Sequence, residues 1–176
     1  MPNNSETSKP IERKERLRFE RSAGAIAYRK KGRTALLFFL LDPYHKWAAP
    51  KGHVRPQEKD ELAAVRELKE ETGLIGTVEN DLGSITLKFR RKNFQIQKNV
   101  RYFLVRVPWN GQVSLEKGKK DQGEHFYGYR WVPLRRALQG SDYENMRPII
   151  AHALGILEAK FGRTRKKVSN DARDSV

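Results

Sequence analysis

The chain has 176 residues, enough for one domain with a real core, and carries 36 Lys and Arg against 21 Asp and Glu, a formal charge of +15. A balance this basic suits an anionic companion such as a polyphosphate, a nucleic acid or an anionic surface. Cysteine is absent, which excludes disulfides, thiolate metal sites and a cysteine nucleophile and leaves carboxylates, carbonyls and histidines as possible metal ligands.

Residues 1–18 are polar and charge-mixed, a composition that cannot offset its ordering entropy, and read as a flexible extension. They hold no apolar h-region, so no signal peptide is expected. The longest apolar run, Ala35 to Leu41, is far short of the ~20 residues of a membrane span. A soluble, cytoplasmic protein without a membrane partner is the expectation. Ala23–Tyr28 and Leu36–Leu41 are short apolar runs bounded by glycine, proline and charges, and read as strands. Lys59–Thr72 has neither Gly nor Pro and is rich in good helix formers, with Gly73 as its stop. Ile75–Val78, Gly83–Arg90 and Val100–Val107 follow as strands, the last two paired about a turn at Asn93–Asn99. Tyr127–Val132 is a further strand. Asn145 is placed to cap a final helix with Pro148 in its first turn and Met146, Ile149, Ile150, Ala153, Leu154 and Leu157 as its apolar stripe. Residues 162–176 form a basic tail. The order of elements predicts one α/β layer fold over residues 19–161.

Chemistry concentrates between Gly52 and Leu74. On the predicted helix Glu67, Glu70 and Glu71 stand at i, i+3 and i+4, so three carboxylates share a face. Leu62 and Val65 fall roughly opposite and are expected to pack inward. Three glutamates alone are compatible with a solvated acidic face. A hard divalent cation would reverse their mutual repulsion, because Mg²⁺ takes oxygen ligands from a few carboxylates plus substrate phosphates.

The spacing Gly52-x5-Glu58-x7-Arg66-Glu67-Leu68-x-Glu70-Glu71-x-Gly73-Leu74 matches every fixed position of the Nudix box. At ordinary residue frequencies such a match arises by chance on the order of once in 10^10 starting points. The chain therefore resembles a Nudix hydrolase, over roughly Phe19–Phe161. That resemblance implies a mixed β-sheet in an α/β/α sandwich, with the box as loop, helix and loop at the sheet's edge. It implies Mg²⁺ (or Mn²⁺) held by Glu67, Glu70, Glu71 and the backbone carbonyl of Lys51. Arg66 would orient Glu67, and Glu58 would brace the loop through a salt bridge. The implied reaction is attack of water on a phosphorus of a nucleoside diphosphate linked to another group, with Glu67 or Glu71 as general base or a glutamate outside the box in their place.

Residues outside the box bear on the substrate. Pro50-Lys51-Gly52-His53 before the box, Ser22–Tyr28, and Glu124-His125 followed by Tyr129-Arg130-Trp131 all resemble the asymmetrical diadenosine tetraphosphate hydrolase branch. By that similarity Glu124 is a candidate metal ligand or base, Lys51 and His53 are candidate phosphate contacts, and Tyr127 or Tyr129 is a candidate base-stacking ring. Trp47, Trp131 and His125 suit structural packing as well as ligand contact. Two departures stand out. The tyrosine that many dinucleoside polyphosphate hydrolases carry about seventeen residues beyond the box is replaced by the stretch Arg90 to Phe94. No proline occurs between Pro56 and Pro108, which argues against ADP-ribose.

Lys88, Arg90 and Lys98 belong to a run from Lys88 to Arg106 that has no acidic residue, and are candidates for a polyphosphate chain or an RNA 5′ end. A basic edge strand that discourages aggregation would look the same. The leading expectation is a metal-dependent pyrophosphohydrolase of a dinucleoside polyphosphate. An RNA 5′-pyrophosphohydrolase, an (oxidised) nucleoside triphosphate pyrophosphatase and a non-catalytic Nudix-fold binding module are the alternatives. The sequence leaves the oligomeric state open.

Overall fold

The computed structural model describes residues 16–115 and 125–161. The first elements among the described residues are two strands, β1 (Arg16–Lys31) and β2 (Thr34–Leu41), joined by a tight turn in which Gly32 takes a φ of 56°. Two short strands follow, β3 (Trp47–Ala48) and β4 (Lys51–His53), and lead into the helix α1 (Asp60–Thr72). A long hairpin, β5 (Thr77–Arg91) and β6 (Phe94–Arg106), precedes β7 (Gly128–Pro133). The 3₁₀ segments Leu134–Gln139 and Glu144–Met146 run into the closing helix α2 (Arg147–Phe161).

The strands make one mixed sheet in the order β3-β2-β1-β6-β5, with β4 added to β1 and β7 to β2. β1 and β6 run parallel, and the other pairs are antiparallel. The alternation along β1 explains how each face is filled. Ala23, Ala25 and Ala27 point to one side, where their small size lets α1 approach through Ala63, Ala64 and Leu68. Ile26 and Tyr28 point to the other, where α2 closes the layer with Ile149, Ile150, Ala153 and Leu157. The result is the expected α/β/α sandwich. No helix among the described residues is long and apolar enough to cross a membrane.

Leu68 is fully buried between α1 and the sheet. Its replacement by alanine should cost about 2–5 kcal/mol, read from urea unfolding, because the surrounding sheet cannot collapse onto the void.

Several local expectations change. β1 starts at Arg16, so residues 16–18 belong to the sheet; their partners are Phe94, Gln95 and Ile96 of β6, a long-range pairing that composition does not show. The β5–β6 turn is only Lys92 and Asn93, with Lys92 at a φ of 54°, and the residues from Phe94 on are already strand. Asn145 sits inside a 3₁₀ turn ahead of α2, while Pro148 does fall in the first turn of that helix. Leu62 is 62% exposed, because the inward face of α1 is the one that carries Glu67 and Glu71.

Candidate active site

The inward orientation of α1 gives Arg66 its role. A buried carboxylate needs a partner, since an isolated charge out of water is strongly unfavourable. The Arg66 guanidinium has five N–H donors, and each meets an acceptor. Nε and Nη2 grip the two oxygens of Glu58, both at 2.8 Å; Nη1 reaches Glu67 at 2.8 Å and Glu70 at 3.0 Å; Nη2 also donates to the His53 carbonyl at 2.9 Å. Glu58 in turn accepts the Arg55 backbone N–H at 2.9 Å, and the Arg55 side chain reaches the second oxygen of Glu70 at 3.0 Å. The loop before the helix is thereby tied to the middle of α1, with Gln57 held at a φ of 62° inside the loop.

The Arg66 bonds hold the Glu58 carboxyl at about 2, against an ordinary value of 4.5, with the Arg55 N–H assisting and burial opposing. A depressed carboxylate contributes stability above its unfolded pKa and loses that contribution as the pH falls through the folded one. The difference in unfolding free energy between the native chain and Glu58→Gln should therefore be level above pH 4.5 and shrink toward zero near pH 2. A difference that stays level down to pH 2 would sink this account of the loop.

β4 forms the floor. Gly52 lies directly under Glu67: a Cβ built there would come within 2.0–2.2 Å of the carboxylate carbon and oxygens. The Lys51 N–H donates to Glu71 at 3.1 Å. On the other side of β1, the buried Tyr102 packs against Gly24; burial first, and the Glu71 charge second, push its phenol above the ordinary range.

Lys51 and Glu71 open onto a cleft of about 260 Å³ that is also lined by Asp42, Tyr44, Phe126 and Tyr143. Asp42 builds that wall. Its side chain accepts the N–H groups of Tyr44 and Lys46, both at 2.9 Å, and the Tyr143 hydroxyl at 2.5 Å. None of these wall residues was a candidate from the sequence. Asp42-Pro43 is readable as a turn signal, but nothing local says which cavity the turn faces.

The structure treats the remaining candidates unevenly. Glu67 and Glu71 are 3% and 2% exposed on the inward face of α1. Glu70 leans toward Arg66 and Arg55. His53 turns its ring to Glu20, 3.4 Å away. Tyr127 stacks on His45 at 4.3 Å with His125 at its edge, and Tyr129 stacks on Phe38 at 5.8 Å. Trp131 is taken up by Phe38 and by the Arg29 guanidinium. Glu124 lies outside the described residues.

Lys88 and Arg90 are not brought to the cleft. They pair with Gln97 and Gln95, in the rows of Phe19 and Leu17. The row of Phe19 lies about 17 Å along β1 from Gly24, the partner of Lys51. Lys98 falls on the opposite face, opposite Leu87 and Glu20. Sequence spacing within one strand could not reveal the offset between strands.

The box carboxylates are hard oxygen donors, the donor chemistry that a divalent cation takes, and the bare Gly52 lets the Glu67 carboxylate sit against β4. Among the described residues no three acidic or histidine side chains are already gathered as a cation site. Arg66 draws Glu70 toward the loop side of the helix, and charge compensation there comes from the guanidinium.

The NUDIX domain model matches residues 18–153. The asymmetrical bis(5′-nucleosyl)-tetraphosphatase of Sus scrofa is 32% identical over 145 residues, covering 74% of this chain and 90% of that protein. Its Mus musculus counterpart is 35% identical over 140 residues, 72% and 88% of the two chains. Among solved structures, a Caenorhabditis elegans Ap4A hydrolase binary complex superposes with a TM-score of 0.63 at 29% identity, covering 80% of this chain and 98% of that one. The chain belongs to the Nudix family. It is a pyrophosphohydrolase of that family.

Proposed function

We propose that this cleft hydrolyses dinucleoside polyphosphates, diadenosine tetraphosphate foremost, to AMP and ATP. The observation that carries the reading is the identity of 32–35% to asymmetrical tetraphosphatases across 88–90% of their length. Mg²⁺ (or Mn²⁺) would be held by Glu67, Glu70 and Glu71, with the Lys51 carbonyl and Glu124 as further donors, and would neutralise phosphate charge and acidify water.

The chain's own groups divide the rest of the work. Arg66 and Glu58 hold α1 against the loop, so that Glu67 keeps one position. Glu71 is the box carboxylate that lines the cleft, and it is the base we assign for the attacking water. The Lys51 side chain stands at the same cleft to meet the phosphate chain. The rings of Tyr44 and Phe126 form a wall against which a base can lie. Water adds to one phosphorus, its proton passes to the carboxylate, and the bridging oxygen leaves with the longer nucleotide.

The test is product identity. The chain is incubated with Mg²⁺ and diadenosine tetraphosphate, ADP-ribose, nucleoside triphosphates or 5′-triphosphorylated RNA, and products are separated by ion exchange. Equal AMP and ATP from diadenosine tetraphosphate is the expected result. Two ADP molecules, or turnover confined to another substrate, would overturn the reading.

A further inference from the structure

Past the point where α1 ends its cover, the sheet continues as a three-stranded arm made of the start of β1 and the far ends of β5 and β6. Arg21, bonded to Asp60 at the start of α1 at 2.7 Å, marks that boundary. Beyond it, the face on the α1 side consists of two rows, Phe19–Gln97–Lys88 and Leu17–Gln95–Arg90. Phe19 is 69% and Leu17 56% exposed, although apolar side chains of this size are ordinarily buried. Neither row contains an acidic residue. The opposite face of the same arm differs, because Glu20 sits there and engages Arg91 at 2.6 Å and His53 at 3.4 Å.

We infer that this face is a docking platform for single-stranded RNA, separate from the cleft. A sheet face that presents one exposed ring beside cations is suited to a splayed strand: a base lies on the ring, and the backbone passes over the positive charges. Lys88 stands two strand spacings, about 10 Å, from Phe19 in the same row. Gln97 lies between them, and its amide both donates and accepts, as recognition of a ribose 2′-hydroxyl requires. The charge of the whole chain, +15, supplies the long-range attraction. A duplex hides its base faces and gains nothing from Phe19. Phe19 lies about 17 Å along the strand from Gly24, the partner of the Lys51 that lines the cleft, so the platform does not depend on what the cleft hydrolyses.

The test uses fluorescence anisotropy of a labelled 12-nucleotide RNA with a 5′-hydroxyl end, which offers the cleft no terminal phosphate. The full chain is titrated without divalent cation at several salt concentrations, beside the same sequence as DNA and as an RNA duplex. Phe19→Ala should weaken RNA binding roughly 5- to 150-fold, the loss expected for one stacked base. The same variant should hydrolyse nucleotides at the native rate. Lys88→Ala should reduce the salt slope by about 0.7, the value of one single-strand phosphate contact. Binding that is unchanged in both variants would place the RNA elsewhere and overturn the proposal. Duplex or DNA bound as tightly as the RNA strand would also overturn it. So would sedimentation showing a dimer that Phe19→Ala dissociates, since the face would then belong to a second copy.

Discussion

Arg66→Ala should lower turnover by about 10²-fold or more and destabilise the chain by about 3–5 kcal/mol. The two effects share one cause. The guanidinium meets five acceptors, and three of its partners are carboxylates, those of Glu58, Glu67 and Glu70. Its removal leaves Glu67, 3% exposed, as a buried charge without this cation, and frees the loop before α1 from the helix. Lysine cannot replace it, because an ammonium has three donors and no planar fork for the two Glu58 oxygens. Arg66→Lys should therefore regain part of the stability and little of the rate. Steady-state kinetics together with urea unfolding separate the two. An Arg66→Ala chain within a few-fold of native turnover would remove the guanidinium from the site's architecture.

Gly52→Ala should lower turnover by a similar factor for a steric reason. The added methyl would stand 2.0–2.2 Å from the Glu67 carboxylate, closer than any nonbonded contact allows, and must push it off its position above β4. A displacement of about 1 Å near reacting groups costs ~10² in rate, while overpacking costs about 1–3 kcal/mol of stability. Gly155 is the internal comparison. It sits within α2, and a methyl added there would meet nothing within 4 Å, so Gly155→Ala should leave the rate unchanged and stabilise the helix by about 0.5–1 kcal/mol. Equal activities of the two variants would refute the placement of Glu67 over Gly52.

The pattern of legibility follows the range of the interactions. Gly52, Glu58, Arg66, Glu67, Glu70 and Glu71 lie close together in the chain, and a helical repeat predicts which of them share a face. That repeat does not tell which face is inward. Outward carboxylates looked natural for a helix with Leu62 and Val65 opposite, yet the sheet contacts Ala63, Ala64 and Leu68 and takes Glu67 and Glu71 with them. The cleft wall was illegible for a different reason. Asp42 and Tyr143 meet only because β7 pairs with β2 and the chain after it turns back over that strand. Lys88 and Lys98 illustrate the same limit: each was readable as basic, but the register of β5 on β6 puts them on opposite faces.

The parallel pairing of β1 with β6 also constrains how the chain reaches this structure. Arg16 finds Phe94 about 80 residues later, and the pairing then runs unbroken to Tyr28 and Arg106. A pairing of that separation carries a large loop-closure entropy, whereas the β5–β6 hairpin closes over two residues. The hairpin is thus the natural early template, and β1 joins it late. During synthesis, Gly24 and the Lys51–His53 strand that pairs beside it wait for Tyr102 to leave the ribosome before their layer can close. The floor of the candidate site should therefore be among the last parts of the protein to become native, and refolding kinetics followed by recovered activity should lag those followed by strand formation.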